Sequence, residues 1–81
     1  MREETIAMPK LGLTMESGTI AQILRKPGDL VKEGETILEF ETEKLQEAIV
    51  APFDGYVKEI LVEEGQELAI AEPLVVFADE M

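Results

Sequence analysis

Apolar and polar residues alternate with a period near two along most of the chain, in short runs such as "GTIAQIL", "GYVKEI" and "PLVVF". Between these runs stand Gly and Pro, in "KPGD" at Lys26 to Asp29, "KEGE" around Gly34, "APFDG" at Ala51 to Gly55 and "EEGQ" around Gly65. Successive side chains of a strand leave on opposite faces, so period-two runs rich in Ile, Val, Leu and Phe and bounded by turn residues predict strands. The pattern places them near residues 5–9, 18–25, 30–32, 37–42, 46–50, 55–62, 67–70 and 74–78. No window carries apolar residues at i, i+3, i+4 and i+7 between helix caps, and no helix is expected.

The pattern also repeats. Residues 18–44 lie over residues 55–81 without a gap at an offset of 37, with seven of 27 pairs identical: Gly18 with Gly55, Ile23 with Ile60, Leu24 with Leu61, Gly28 with Gly65, Glu35 with Glu72, Phe40 with Phe77 and Glu43 with Glu80. Chance supplies about two, so one supersecondary unit is written twice. Each copy has four strands and cannot bury its apolar face alone. The expectation is an all-β fold: two small four-stranded antiparallel sheets related by a pseudo-two-fold axis, in a flattened barrel or sandwich. Residues 1–81 are read as one domain with repeat halves at 18–44 and 55–81. Leu38 and Phe40 are expected to meet Val75 and Phe77, with Ile20, Ile23, Val57 and Ile60 filling out the core.

The offset puts the equivalents of Lys44 at Ala7 and Met81, toward the two chain ends. Lys44, in "EFETEKLQEA", is thus predicted at a hairpin tip, Thr42 to Leu45, opposite paired termini. Glu-Lys is not a sequence for the mirror-image turns of two-residue hairpins, which need positive φ; an ordinary type I turn in a looser tip accepts it. In itself such a lysine is a solvated edge charge that discourages pairing with other sheets. It is ill suited to nucleophilic catalysis, because Glu41, Glu43 and Glu47 favour its ammonium form and a tip offers no apolar pocket. A specific role for Lys44 would be that of an acceptor, deprotonated and acylated in the active site of another protein.

Composition narrows the chemistry. The chain has no Cys and no His, which removes disulfides, thiolate chemistry, an imidazole base and the usual zinc ligands. Seven basic against 18 acidic residues give a formal charge of −11, which repels nucleic acid and anionic membrane surfaces. "MREETIAMPK" lacks the basic and apolar regions of a signal peptide, and Leu74 to Ala78 is too short to span a bilayer. A soluble monomer in the cytoplasm, or in an organelle matrix in a eukaryote, is the expectation. No catalytic or metal site is predicted, and a stand-alone enzyme is disfavoured by size and by the lack of a phosphate-binding Gly motif.

"MPKLGLTMESGTI" at Met8 to Ile20 and "KPGDLVKEGETILEFETEKLQEAIVAPFDGYV" at Lys26 to Val57 resemble the lipoyl domain of the dihydrolipoyl acyltransferase component of 2-oxo acid dehydrogenase complexes, in the biotinyl/lipoyl attachment family. The resemblance covers nearly the whole chain and implies a barrel-sandwich hybrid with lipoic acid carried as an amide on Lys44. It implies partners of four kinds: a lipoate ligase or a lipoyl/octanoyl transferase, a thiamin-diphosphate-dependent decarboxylase, the acyltransferase core, and a flavin-dependent dihydrolipoyl dehydrogenase. It also implies recognition through the neighbours Glu43 and Leu45 and through the loop Leu11, Gly12, Leu13, Thr14, Met15 and Glu16. Read from the residues alone, that loop is a strand connection in which either Leu13 or Met15 caps the core. Where the family most often has Glu-Thr-Asp-Lys-Ala, this chain has Glu41, Thr42, Glu43, Lys44 and Leu45, and it places Glu47 where an apolar residue is common. Two alternatives share the architecture. A biotin carrier usually flanks its lysine with Met on both sides, unlike Glu43 and Leu45, and transport adaptors use unmodified modules of this kind.

Overall fold

The computed structural model describes residues 1–80, so Met81, the last position of the second repeat, lies outside the described residues. The described residues form eight strands: β1 (Glu3–Ala7), β2 (Ser17–Ile23), β3 (Leu30–Val31), β4 (Thr36–Glu41), β5 (Gln46–Val50), β6 (Gly55–Ile60), β7 (Glu67–Ala69) and β8 (Pro73–Ala78). They form two four-stranded antiparallel sheets, β1-β8-β6-β3 and β5-β4-β2-β7. No helix occurs among the described residues. The first strand begins two residues earlier than the alternation predicts. Met8 and Pro9 fall outside it because the Met8 N–H donates to the Glu72 carbonyl (2.9 Å), off the β1–β8 ladder, and Pro9 has no N–H to offer.

The repeat is visible bond by bond. Exchanging β2 with β6, β3 with β7, β4 with β8 and β5 with β1 turns one sheet order into the other. The bulge in β2 between Ile20 and Gln22 recurs in β6 between Val57 and Glu59. Turn chemistry is copied too: Asp29 accepts the Lys26 N–H (3.0 Å) where Gln66 accepts the Glu63 N–H (3.0 Å), and Glu35 accepts the Lys32 N–H (2.9 Å) where Glu72 accepts the Ala69 N–H (3.2 Å). Gly28 and Gly65 supply the positive φ, 96° and 88°, that each first turn requires.

The register of β1 departs from the expected offset of 37. Its ladder aligns Glu3 with Ala78 and Ile6 with Val75, as β5 aligns Gln46 with Glu41 and Ile49 with Leu38, so β1 and β5 are 43 residues apart rather than 37. The counterpart of Lys44 on this side is Met1, and Ala7 corresponds to Val50. The chain between Ala7 and Gly18 is therefore six residues longer than the chain between Val50 and Gly55.

Phe40, Phe77, Leu38, Val75, Ile20 and Val57 are buried in one apolar cluster, as the alternation predicts, together with Val31, Ile37 and Leu74. Ile23 and Ile60 differ from expectation in being only partly buried; they pack on the rim of the cluster where the chain leaves one sheet for the other. Met8 is an unforeseen core residue, and Phe53 meets Phe77 edge to face with ring centroids 5.3 Å apart. No side-chain N or O atom is buried without a partner among the described residues, so the interior carries no polar penalty.

Crossovers between the sheets fix which ends of the molecule carry what. The turn after β2 bonds to the start of β6, with the Gly28 N–H on the Val57 carbonyl (2.8 Å) and the Val57 N–H on the Asp29 carbonyl (3.0 Å). The turn after β6 bonds to β2 in the same way, with the Gly65 N–H on the Ile20 carbonyl (2.7 Å) and the Ile20 N–H on the Gln66 carbonyl (2.8 Å). β2 and β6 thus run in opposite directions along a body of 36 × 21 × 18 Å. The β4–β5 hairpin lies beside the start of β2, where Thr19 pairs with Glu41. The paired ends of β1 and β8 lie beside the start of β6, where Tyr56 pairs with Ala78. Hairpin and termini consequently occupy opposite poles.

Candidate functional site

The last ladder pair of the hairpin is Glu41 with Gln46, and the Thr42 N–H donates to the Leu45 carbonyl at 2.8 Å. Glu43 and Lys44 form the tip between them. Among the described residues only Gly28, Gly34, Gly65 and Ala71 have positive φ, so this is not a mirror-image turn. In place of a backbone acceptor the tip uses the Thr42 hydroxyl. Its Oγ1 lies 3.4 Å from the Lys44 N–H nitrogen, 3.3 Å from that of Leu45 and 3.4 Å from the Leu45 carbonyl. A Thr at the head of a turn can substitute its side chain for backbone bonding in this way.

Lys44 is exposed, and among the described residues no carboxylate lies within 4.0 Å of its ammonium, although Glu41, Glu43 and Glu47 are close in sequence and also exposed. The loop before β2 faces the tip. It is held by the Met15 N–H on the Gly12 carbonyl (3.3 Å) and by the Leu11 N–H on the Met15 sulfur (3.3 Å). Loop and tip enclose a groove of about 480 Å³, floored by Gly18 and Thr19 of β2. The six residues by which this half exceeds its counterpart are thus spent beside Lys44.

Of the residues singled out from the sequence, Leu11, Gly12, Thr14, Met15, Glu16, Glu43, Lys44 and Leu45 all line that groove. Leu13 does not. It is 96% exposed, which rules it out as a core cap, whereas Met15 is half-buried and packs on the core. Two features of the site were not anticipated: Thr42, which sets the tip, and Ser17, whose hydroxyl donates to Glu67 at 2.6 Å and ties β2 to β7 under the groove. A Thr at the first position of a four-residue tip is a readable turn signal; the Ser17–Glu67 contact depends on strand pairing across 50 residues and leaves no local trace. Among the described residues no group of three or more acidic side chains converges to hold a metal.

An exposed lysine with no ion partner among the described residues, on a hairpin tip at the pole away from the start of β1 and the end of β8 and beside a groove, is the geometry of a module that presents one side chain outward. Comparison with known proteins gives this class its family. Residues 4–77 match the family model described as biotin-requiring enzyme, which covers biotin and lipoyl attachment domains. The chain is 39% identical over 67 residues to the dihydrolipoyllysine-residue succinyltransferase component of the 2-oxoglutarate dehydrogenase complex of Bacillus subtilis, covering 83% of this chain and 16% of that protein. It is 38% identical over 76 residues to the mitochondrial dihydrolipoyllysine-residue acetyltransferase component of the pyruvate dehydrogenase complex of Saccharomyces cerevisiae, covering 93% of this chain and 16% of that protein. The solution structure of the lipoyl domain of the 2-oxoglutarate dehydrogenase complex from Azotobacter vinelandii superposes with a TM-score of 0.79 at 31% identity, over 95% of this chain and 98% of that domain. The chain belongs to the biotin/lipoyl attachment family and has the fold of a lipoyl domain. It spans about one sixth of the length of these acyltransferase relatives (16%).

Proposed function

We propose that Lys44 carries lipoic acid as an amide, and that the domain moves acyl groups and reducing equivalents among the active sites of a complex acting on a 2-oxo acid or a related substrate such as acetoin. The observation that carries this reading is the placement of Lys44: a lysine with no ion partner among the described residues, on a tip closed by Thr42 and Leu45, at the pole opposite the start of β1 and the end of β8. Lipoate is favoured over biotin by the flanking residues, Glu43 and Leu45 instead of Met, since an attaching enzyme distinguishes its substrates by the neighbours it touches. The tip also fits the group sterically, because the Lys44 side chain opens to solvent and to the groove rather than into the core.

Attachment requires a lipoate ligase or a lipoyl/octanoyl transferase to remove a proton from the Lys44 Nζ and bring up an activated carboxyl group. The Nζ–acyl bond then forms as the activating group departs. Bound there, lipoic acid supplies a dithiolane that can be reductively acylated by a thiamin-diphosphate decarboxylase, deliver its acyl group to coenzyme A in an acyltransferase core and be reoxidised by a flavin-dependent dihydrolipoyl dehydrogenase. The chain itself presents and is recognised. Tethering by a terminus leaves the Lys44 pole facing outward and raises its concentration at each partner to roughly the millimolar range. Amide formation removes one positive charge, and a surface already at −11 then favours basic active-site mouths, in the cytoplasm or an organelle matrix.

Co-expression with lipoate and a lipoate ligase, followed by intact mass measurement, tests this. One lipoyl adduct that disappears in Lys44→Ala is expected. An unmodified protein, or an adduct that survives the substitution, contradicts it, and a biotin adduct obtained with a biotin ligase instead supports the biotin-carrier alternative.

A further inference from the structure

The strands bring the chain to within four residues of closing the hairpin, but they do not dictate how Glu43 and Lys44 are held. At a tip with no positive φ, the Lys44 and Leu45 N–H groups find no backbone carbonyl within the turn; their acceptor is one side-chain oxygen, Thr42 Oγ1. The same atom approaches the Leu45 carbonyl, so a single hydroxyl touches both sides of the tip. Each contact is long, 3.3 to 3.4 Å, and each alone is weak. Their convergence on one atom makes that atom the determinant.

The opposite pole repeats the device with different chemistry. Thr42 corresponds to Asp79 and Leu45 to Arg2 under the pseudo-two-fold. There the Asp79 N–H donates to the Arg2 carbonyl (2.9 Å) and the Arg2 N–H donates to Asp79 Oδ1 (2.9 Å). At both poles a side-chain oxygen at the end of the outgoing strand accepts the N–H at the start of the incoming one. Only the lysine pole adds two residues between them and uses the oxygen to orient both.

We infer that Thr42 is a positioning residue for Lys44: its hydroxyl fixes the tip in the form that the modifying enzyme binds. The inference rests on Lys44 being the acceptor. A tip held in advance spares the enzyme the cost of ordering it, so loss of the hydroxyl weakens binding rather than chemistry. The hydrogen bonds of the Thr42 hydroxyl go to the tip backbone at Lys44 and Leu45 and none to the Nζ, and its role is confined to geometry.

The test uses Thr42→Val, which keeps the shape and removes the hydroxyl; Thr42→Ser, which keeps the hydroxyl; and Thr42→Asp, which copies Asp79. Steady-state lipoylation by a lipoate ligase, amide hydrogen exchange at Lys44 and Leu45, and the urea midpoint are measured for each. For Thr42→Val the expected results are a KM for the domain raised about tenfold with kcat near wild type, as for the loss of one net hydrogen bond, and faster exchange at Leu45. Thr42→Ser is expected to restore both KM and exchange to within about twofold, and Thr42→Asp to restore protection at Leu45. The inference is overturned if Thr42→Val is lipoylated with wild-type KM, if Thr42→Ser behaves as Thr42→Val does, or if KM follows the urea midpoint rather than Leu45 exchange. A wild-type domain that the ligase leaves unmodified overturns the Lys44 reading itself, an outcome distinct from these.

Discussion

Asp79 and Arg2 clasp each other at one pole as Thr42 and Leu45 do at the other, with N–H to carbonyl distances of 2.9 and 2.8 Å. The two chain ends are thus a hairpin cut open, and the lysine tip is the same hairpin left whole. In one half of the repeat this position holds Arg2 and Asp79; in the other it holds the tip with Lys44, the proposed acceptor. Asp79→Ala removes the acceptor of the Arg2 N–H and is expected to cost about 0.5–1.5 kcal/mol. Chemical denaturation measures it, and a change in the rate of Lys44 modification is not expected.

Gly18 and Gly55 are equivalent by sequence but not by surroundings. A Cβ on Gly18 would meet side-chain atoms only, the Phe40 ring at 3.0 Å and the Met8 terminus at 3.2 Å, of which the flexible Met8 end can yield slightly. A Cβ on Gly55 would collide with the Ala78 carbonyl oxygen, which the β6–β8 ladder holds in place. Gly55→Ala is therefore expected to destabilise by about 3 kcal/mol or more and Gly18→Ala by about 1–2 kcal/mol. Equal losses in thermal or urea unfolding would contradict the assignment.

Ala71 keeps φ at 75° where its equivalent, Gly34, has 86°. An alanine there strains its Cβ against the backbone by about 1–2 kcal/mol, which exceeds the roughly 0.5–1 kcal/mol that glycine's greater freedom in the unfolded chain costs. Ala71→Gly is expected to stabilise the domain by about 0.5–1 kcal/mol, and Gly34→Ala to destabilise it by at least as much. Urea midpoints of the two variants give the signs.

Leu13 stands 96% exposed on the loop that faces Lys44, and Met15 in the same loop packs on the core. Leu13→Ser is expected to leave stability within about 0.5 kcal/mol while weakening engagement by a partner decarboxylase. Met15→Ser is expected to lower stability by about 1–2 kcal/mol. Unfolding curves together with reductive acylation kinetics separate the two effects.

The repeat was legible because its turns are written in side chains that bond locally: Asp29 and Gln66, Glu35 and Glu72, Gly28 and Gly65 do the same work in the same places. The core followed from period two, with Phe40 and Phe77 buried as equivalents. The register of β1 was not legible, since it is set by pairing with β8 more than 60 residues away and is displaced by the longer loop. Met8 escaped for the same reason: its burial depends on that loop passing over Gly18, not on alternation. At the site, the pattern gave Lys44 a tip and a pole. The groove and the Thr42 clasp required the loop, the hairpin and the hydroxyl in three dimensions.

The most direct test of the central claim is a tryptic map of the domain after exposure to lipoate and a lipoate ligase. Trypsin does not cleave after an acylated lysine, so modification at Lys44 is expected to join residues 33–44 and 45–58 into one peptide carrying a single lipoyl group. Lys10, Lys32 and Lys58 are expected to remain cleaved, and the peptide spanning Lys26, whose bond to Pro27 resists trypsin, to keep its unmodified mass. Continued cleavage after Lys44, or a lipoyl group on any of the other four lysines in its place, would contradict the account.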